Sequence, residues 1–147
     1  MSGEVLNMKA RAALALALLL HGSILAQAQQ ASRSTAEGVF TAEQAKNGER
    51  AYQARCAMCH GADLHSTDPE APDLTDSAFK FSWQDKTLAR RFEYIRATMP
   101  FGQSRSLDDQ TYVDIIAYIL QFNGLPAGKQ TLTPDIDILE KIVIAIP

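Results

Sequence analysis

The sequence predicts an all-α domain with three main helices and long connecting loops. The strongest observation is an apolar stripe with the three- and four-residue spacing of a helix, formed by Tyr112, Ile115, Ile116, Ile119 and Leu120. Two earlier segments, residues 41–54 and 85–98, carry helix start signals or the same apolar spacing, and no strand pattern precedes Cys56. The 147 residues are enough for one compact domain of this kind.

Residues 1–28 have the features of an export signal. Lys9 and Arg11 precede an apolar run over residues 12–20, and residues 26–28 form the Ala-x-Ala pattern that signal peptidases cleave after. The apolar run is too short for a bilayer, which requires roughly 20 residues, although an uncleaved anchor stays open. We therefore expect cleavage near Ala28, a periplasmic location and no stable membrane insertion afterwards.

The rest of the chain divides into three parts. We expect residues 29–39 to form a flexible N-terminal segment, residues 40–125 the folded domain, and residues 126–147 a C-terminal extension packed on it. In the extension, 135–141 is predicted as a short helix and 142–146 as an extended segment. The formal net charge of −3 shows no basic bias, which argues against a nucleic-acid partner.

The first two helices have recognisable starts. Thr41-x-x-Gln44 fits a capping box, so the first helix is predicted from Thr41 to about Ala54. The second is predicted from Asp85 to Thr98, with one apolar face formed by Leu88, Phe92 and Ile95.

The third helix is predicted to begin after Ser106. Ser106-x-x-Asp109 fits another capping box, and Asp108 is also favourable near the positive end of a helix. Asn123-Gly124 provides the stop signal. Residues 61–84 are expected to form one long loop between the first two helices.

The two cysteines of the chain lie in Cys56-Ala57-Met58-Cys59-His60, the C-x-x-C-H pattern of covalent haem attachment. Two thiols about one helical turn apart can each add to one vinyl group of a haem, and the next residue then presents its imidazole to the iron. The motif predicts one covalently bound haem c with Cys56 and Cys59 as attachment residues and His60 as a metal ligand.

The cysteine pair has three other interpretations. A redox-active C-x-x-C pair would need a βαβ context, and no strand pattern precedes Cys56. A zinc site would need a further Cys/His pair, and the chain has no third cysteine. A structural disulfide remains open, but it leaves His60 without a role.

Met99 is the candidate for the second axial position of the iron. His65 lies too close to His60 to reach the other side of the haem, and Met58 lies within the attachment motif itself. Pro100 ends the preceding helix and favours an extended conformation at Met99, which can direct the thioether away from the helix. His/Met ligation raises the reduction potential and leaves no open position on the iron, which favours electron transfer over oxygen chemistry. The sequence therefore predicts a protein that transfers electrons and is not an enzyme.

The long loop indicates that the cofactor is part of the core. Loops beyond about 12–15 residues are uncommon in compact domains unless something orders them. Three short helices provide little apolar surface to offset the conformational entropy of ordering residues 61–84. A central haem supplies the missing surface, so we expect the haem-free chain to be largely unfolded.

These motifs together resemble the class I, mitochondrial-type cytochrome c family over most of residues 40–124. In that family a glycine and an aromatic residue precede the attachment motif where two terminal helices cross closely. Gly48 and Tyr52 match them, and Ile116 and Tyr118 match their partners in the last helix. The resemblance implies the cytochrome c fold around one haem.

The resemblance also implies further cofactor-binding residues. The segment Pro72-Asp73-Leu74 is similar to the family's Pro-x-Leu, in which the proline carbonyl accepts the N–H of the proximal imidazole. Leu74 would pack on the haem, and Trp83 resembles the tryptophan that donates to a haem propionate.

The resemblance finally implies a class of partner. Residues 117–128 and the tail look closest to small bacterial cytochromes c associated with quinoprotein (PQQ-dependent) alcohol dehydrogenases. The expectation is a monomeric carrier with redox protein partners: a dehydrogenase as donor and an oxidase or another cytochrome as acceptor. Two alternatives stay open, a tightly bound haem subunit of a dehydrogenase complex and a haem enzyme or gas sensor in which Met99 leaves the iron.

Overall fold

The computed structural model describes residues 32–146, so the expected export signal and residues 29–31 lie outside the described part. The described chain is mainly helical, which confirms the predicted all-α class. The elements in chain order are β1 (Arg33–Ser34), a 3₁₀ turn (Thr35–Glu37), α1 (Ala42–Arg55), α2 (Ala57–His60), α3 (Asp76–Trp83), α4 (Leu88–Thr98), α5 (Asp109–Phe122), α6 (Ile136–Leu139) and β2 (Ile142–Val143).

Helices α1 and α5 cross in close contact. Gly48 is buried in α1, and a Cβ at this position would lie 1.8 Å from the carbonyl oxygen of Asp114. Only a glycine lets the two backbones approach this closely. One turn later the rings of Tyr52 and Tyr118 pack with their centroids 5.2 Å apart. The crossing expected from the family resemblance is therefore present.

The starts of two helices differ from the predicted ones. α4 begins at Leu88 with Thr87 as its N-cap, three residues after the predicted Asp85. Asp85 has a positive φ of 61°, outside the right-handed helical region. α5 is capped by Asp108, whose side chain accepts from the backbone N–H of Thr111, and the predicted capping by Ser106 is wrong.

The predicted loop over residues 61–84 is wrong in its last third. Residues 76–83 form α3, which buries Phe79 and Trp83 one turn apart, with ring centroids 5.0 Å from each other. Two aromatic residues four positions apart lie on the same face of a helix. This helical signal is present in the sequence, but the residues around it are polar and favour a loop. The irregular connection is therefore residues 61–75.

The N-terminal segment is ordered over its described part, contrary to the flexible segment expected at residues 29–39. β1 pairs in parallel with β2, so that Arg33 is in register with Ile142. Thr35 is buried, and its hydroxyl accepts from the backbone N–H of Ala145 at 3.0 Å. This segment is ordered because it pairs with a strand that is distant in sequence. A local sequence pattern cannot reveal such a partner.

The C-terminal extension contributes to the core. The short helix expected at 135–141 is present as α6, and the extended segment after it contains β2. Its buried side chains are Leu132, Leu139, Ile142 and Ile144. Gln44 binds both backbone groups of Leu132, donating to its carbonyl oxygen at 2.8 Å and accepting from its N–H at 2.8 Å. Within residues 32–146, no helix combines the length and apolar character that crossing a bilayer would require.

Candidate haem site

The cysteine motif forms one helical turn directly after α1. The backbone N–H of Cys56 still donates to Tyr52 in α1, at 2.8 Å, and the N–H of His60 donates to the carbonyl oxygen of Cys56 at 3.0 Å. Cys56 and Cys59 are partly buried free thiols, whereas His60 is buried. This turn places two unpaired thiols and an imidazole next to one another, as thioether attachment requires.

The protonation of Cys56 differs from that of a redox-active thiol. Burial raises the pKa of the Cys56 thiol to about 11, with Arg55 acting in the lowering direction and Cys59 in the raising one. Thiols that exchange disulfides or bind metals react as thiolates and have depressed pKa values. The environment of Cys56 therefore does not favour the thioredoxin-like alternative.

The ring of His60 is fixed by a backbone carbonyl. Its Nδ1 lies 2.9 Å from the carbonyl oxygen of Pro72. Because a carbonyl can only accept, Nδ1 carries the proton, and the lone pair is on Nε2. This is the contact that the Pro-x-Leu resemblance implied, and it fixes the orientation of the imidazole.

The segment that carries Pro72 is tied to the motif and to the helices. The buried hydroxyl of Tyr52 donates to the carbonyl oxygens of Gly61 at 2.8 Å and His60 at 3.2 Å. The N–H of Leu74 donates to Leu64, and its carbonyl accepts from Asn123 at the end of α5, both at 2.9 Å. The sequence predicts Tyr52 only as a residue of the helix crossing, and its second role, holding the loop after the motif, could not be predicted from its spacing.

Met99 ends α4 in the conformation that Pro100 favours. It is the C-cap of α4, with extended backbone angles (φ −123°, ψ 151°), and it is partly buried. Its carbonyl oxygen accepts from the hydroxyl of Tyr112 at 2.9 Å. The loop that follows is linked to the motif, because the guanidinium of Arg55 donates to Gln103 and Ser106. These bonds hold the loop after Met99 beside the end of α1.

Trp83, which the family resemblance implied as a haem-pocket residue, packs against Arg91. Trp83 is buried, and the guanidinium carbon of Arg91 lies 5.7 Å from the centre of its ring. This contact was not predicted from the sequence, where Arg91 is a charged residue within the apolar stripe of α4, three positions after Leu88 and next to Phe92.

The donor set of this structure fits a covalently bound haem. Two free thiols lie one helical turn apart, and the adjacent imidazole is buried with its Nε2 lone pair available. Partly buried apolar side chains lie around the core, among them Ala57, Leu74 and Ile95. Within residues 32–146, no group of three or more His, Cys, Asp or Glu side chains is placed to hold a metal ion. The two thiols and the adjacent imidazole are characteristic of c-type haem proteins, and the chain is of that class.

Comparisons with known proteins identify the family to which the chain belongs. The model of a family described as "Cytochrome C oxidase, cbb3-type, subunit III" matches residues 43–119, which is more than half of the chain. The chain therefore belongs to this cytochrome c family. Its members carry covalently bound haem c, and a single haem is consistent with the size of this chain. Haem-based electron transfer follows from that membership.

A curated relative supports the same assignment at greater distance. The chain is similar to a thiosulfate dehydrogenase of Psychrobacter arcticus (strain DSM 17307 / VKM B-2377 / 273-4), with 35% identity over 86 residues. The alignment covers 54% of this chain and 25% of the relative, so the chain spans about a quarter of that protein's length. No solved structure matches the chain.

Proposed function

We propose that this chain is a periplasmic one-electron carrier whose haem iron is ligated by His60 and Met99. The observation that carries the proposal is the contact between His60 Nδ1 and the Pro72 carbonyl beside two free thiols. An imidazole held in one orientation next to attachment cysteines serves a haem that stays in place and changes only its oxidation state.

Several residues of the chain hold the cofactor, each in a different way. Cys56 and Cys59 attach it, and Pro72 sets the tautomer of His60. Leu74 and Trp83 contribute apolar surface to the pocket, and Trp83 has an indole N–H for a propionate. Met99 supplies the thioether, and its position is supported by its extended backbone and by the bond from Tyr112. When bound, the haem supplies an iron that accepts and releases single electrons.

The surface beside the attachment turn suits brief encounters with another redox protein. Met58, between the two cysteines, is 89% exposed. It lies next to the thioether positions, so a partner that covers it would approach the cofactor closely. Electron-transfer complexes need only small interfaces, below about 1,200 Å².

A dehydrogenase is the donor in this proposal, and an oxidase or another cytochrome is the acceptor. The similarity of residues 117–128 to cytochromes that accompany quinoprotein alcohol dehydrogenases favours a donor of that type. The second candidate is a haem subunit bound permanently to a dehydrogenase, and the similarity to a thiosulfate dehydrogenase favours it.

Protein exported from cells with haem-maturation machinery tests both candidates. We expect a mass increased by one haem, cleavage near Ala28, and a reduced protein that respiratory membranes re-oxidise rapidly. A free carrier elutes as a monomer from periplasmic extract at low and high salt. Elution at a fixed ratio with a dehydrogenase through high salt would instead support the subunit, and protein without added haem mass would contradict both.

A further inference from the structure

Asn123, the C-cap of α5, joins that helix to the loop beside His60. Its Nδ2 donates to the carbonyl oxygen of Leu74 at 2.9 Å and to that of Ile119 at 2.8 Å. A side-chain amide carries two N–H donors, so each carbonyl can receive its own hydrogen. The bond to Ile119 stays within the end of the helix, whereas the bond to Leu74 reaches a segment 49 positions earlier in the chain.

Leu74 lies two residues after Pro72, whose carbonyl oxygen is 2.9 Å from the Nδ1 of His60. The backbone here has no regular structure of its own, since residues 61–75 contain no helix or strand. Apart from Asn123, the hydrogen-bond partners of residues 72–74 in the described part of the chain are His60, Leu64 and Ser66. These partners lie in the motif or in the same irregular loop. The bond from Asn123 is therefore the one that ties this segment to a main helix.

The other partner of this contact, His60, is held by α1. The hydroxyl of Tyr52 donates to the carbonyl oxygens of His60 at 3.2 Å and Gly61 at 2.8 Å. Helices α1 and α5 are fixed against each other by their close crossing. One crossing pair of helices thus holds both sides of the Nδ1 contact, His60 through Tyr52 and Pro72 through Asn123. A hydrogen bond between two segments keeps its length only where both backbones are held in this way.

We propose that Asn123 is a positioning residue for His60 as an iron ligand. It acts through Leu74 on the carbonyl of Pro72, and so keeps the bond from Nδ1–H to that carbonyl in place. The proposal rests on the proposed function, in which His60 binds the iron of a covalently attached haem. Asn123 lies beyond the family match, which ends at residue 119, so this link joins the matched region to the part of the chain that follows it.

The position of the Pro72 carbonyl has a consequence for the reduction potential. An imidazole whose N–H is bonded to a carbonyl is a more basic ligand than one whose N–H is free. A more basic ligand favours the ferric state, so the contact lowers the reduction potential and a looser contact raises it. By holding Leu74, Asn123 keeps the potential from varying with movements of the loop.

Two variants of Asn123 and one matched control test this proposal in the haem-containing protein. Asn123→Leu has a similar size and removes both hydrogen bonds. Asn123→Ser leaves a hydroxyl that can bond the carbonyl of Ile119 in its own helix, and its single proton cannot serve Leu74 as well. Gln53→Leu removes a comparable amide bond to the other end of the loop, the 2.8 Å bond to the carbonyl of Ala62. The measurements are the midpoint potential, the solvent exchange of His60 Nδ1–H by NMR of the reduced protein, the haem mass and the midpoint of unfolding.

Both Asn123 variants should exchange the Nδ1–H about fivefold faster than the wild type, as the loss of one hydrogen bond of ordinary strength predicts, and should have a higher potential. Gln53→Leu should match the wild type in both measurements. An exchange rate and a potential equal to those of Gln53→Leu, in Asn123 variants that carry covalent haem, would overturn the proposal even if their unfolding midpoints fall, because Asn123 would then only end α5. If Asn123→Leu does not accumulate, Asn123→Ser decides by the same criterion. A wild-type protein without covalent haem would instead overturn the proposed function.

Discussion

At the residue scale, the site depends on which ring nitrogen of His60 carries the lone pair. The Pro72 carbonyl engages Nδ1, and the clamp from Tyr52 keeps the backbone of His60 and Gly61 in place. Without this hydrogen bond, either ring nitrogen of His60 could carry the proton. A ligand that is held in one tautomer and one orientation keeps the surroundings of the iron the same in both oxidation states.

Met99→Ala tests the proposal that Met99 is the second ligand of the iron. Loss of the thioether should lower the reduction potential and open the iron to external ligands, because the thioether stabilises the ferrous state and occupies the sixth position. Met58→Ala is the control, since Met58 lies in the attachment turn and is almost fully exposed. Titration with cyanide and imidazole, followed by optical spectra, gives the result. A Met99→Ala protein with the spectrum of the wild type would show that Met99 is not a ligand.

The sequence predicts some of these residues better than others, and the reason is physical. Cys56, Cys59 and His60 lie within one five-residue motif, so their role in haem attachment can be predicted from the sequence alone. The packing of Arg91 is visible only after folding, since its guanidinium lies against two rings from different helices, Trp83 and Tyr94. Local patterns report spacing along the chain, and they do not report contacts between different elements.

At the element scale, short polar side chains decide where the helices begin. Thr41, Thr87 and Asp108 each accept from a backbone N–H in the first turn of the helix that follows. The sequence indicated Thr41 correctly, because no competing cap lies next to it. Around residues 106–109 several acceptable caps are adjacent, and the choice of Asp108 depends on how the chain enters from the loop after Met99.

Asp108→Ala and Ser106→Ala distinguish the observed cap from the predicted one. At neutral pH the Asp108 variant should lose about 1 kcal/mol of unfolding free energy, as is typical of a lost N-cap. Ser106→Ala should lose much less, because the exposed Ser106 hydroxyl only accepts from Arg55. Denaturant unfolding of the haem-containing proteins measures both. Equal losses in the two variants would contradict the assignment of the cap.

The effect of Asp108 should also depend on pH. Hydrogen bonds from the hydroxyl and backbone N–H of Thr111 lower the pKa of Asp108 below its ordinary value of 3.8. A carboxyl with a depressed folded pKa stabilises fully above its unfolded pKa and loses that contribution as the pH falls through the folded value. The difference between wild type and Asp108→Ala should therefore shrink below about pH 4. A difference that is constant down to lower pH would show that the charge contributes nothing.

At the scale of the whole molecule, the chain ends complete the fold around the site. β1 and β2 come from opposite ends of the described chain and pair in parallel. Gly38 also brings the N-terminal segment against Gly128, where a Cβ would lie 1.9 Å from the carbonyl oxygen of Gly38. Contacts over such sequence separations leave no local signature, which is why the order of residues 33–39 could not be predicted.

The cofactor is the remaining part of the core, and haem-free protein tests this. Residues 61–75 contain no helix or strand, and ordering them costs about 1–2 kcal/mol per residue in backbone entropy. Apolar side chains near the motif, such as Ala57 and Leu74, are only partly buried by the polypeptide. The Cys56→Ser/Cys59→Ser double variant cannot form thioethers. After haem extraction we expect its circular dichroism to show a large loss of helix relative to the haem-containing wild type. Full native helicity and cooperative unfolding in the haem-free variant would show that α1, α4 and α5 form a sufficient core by themselves.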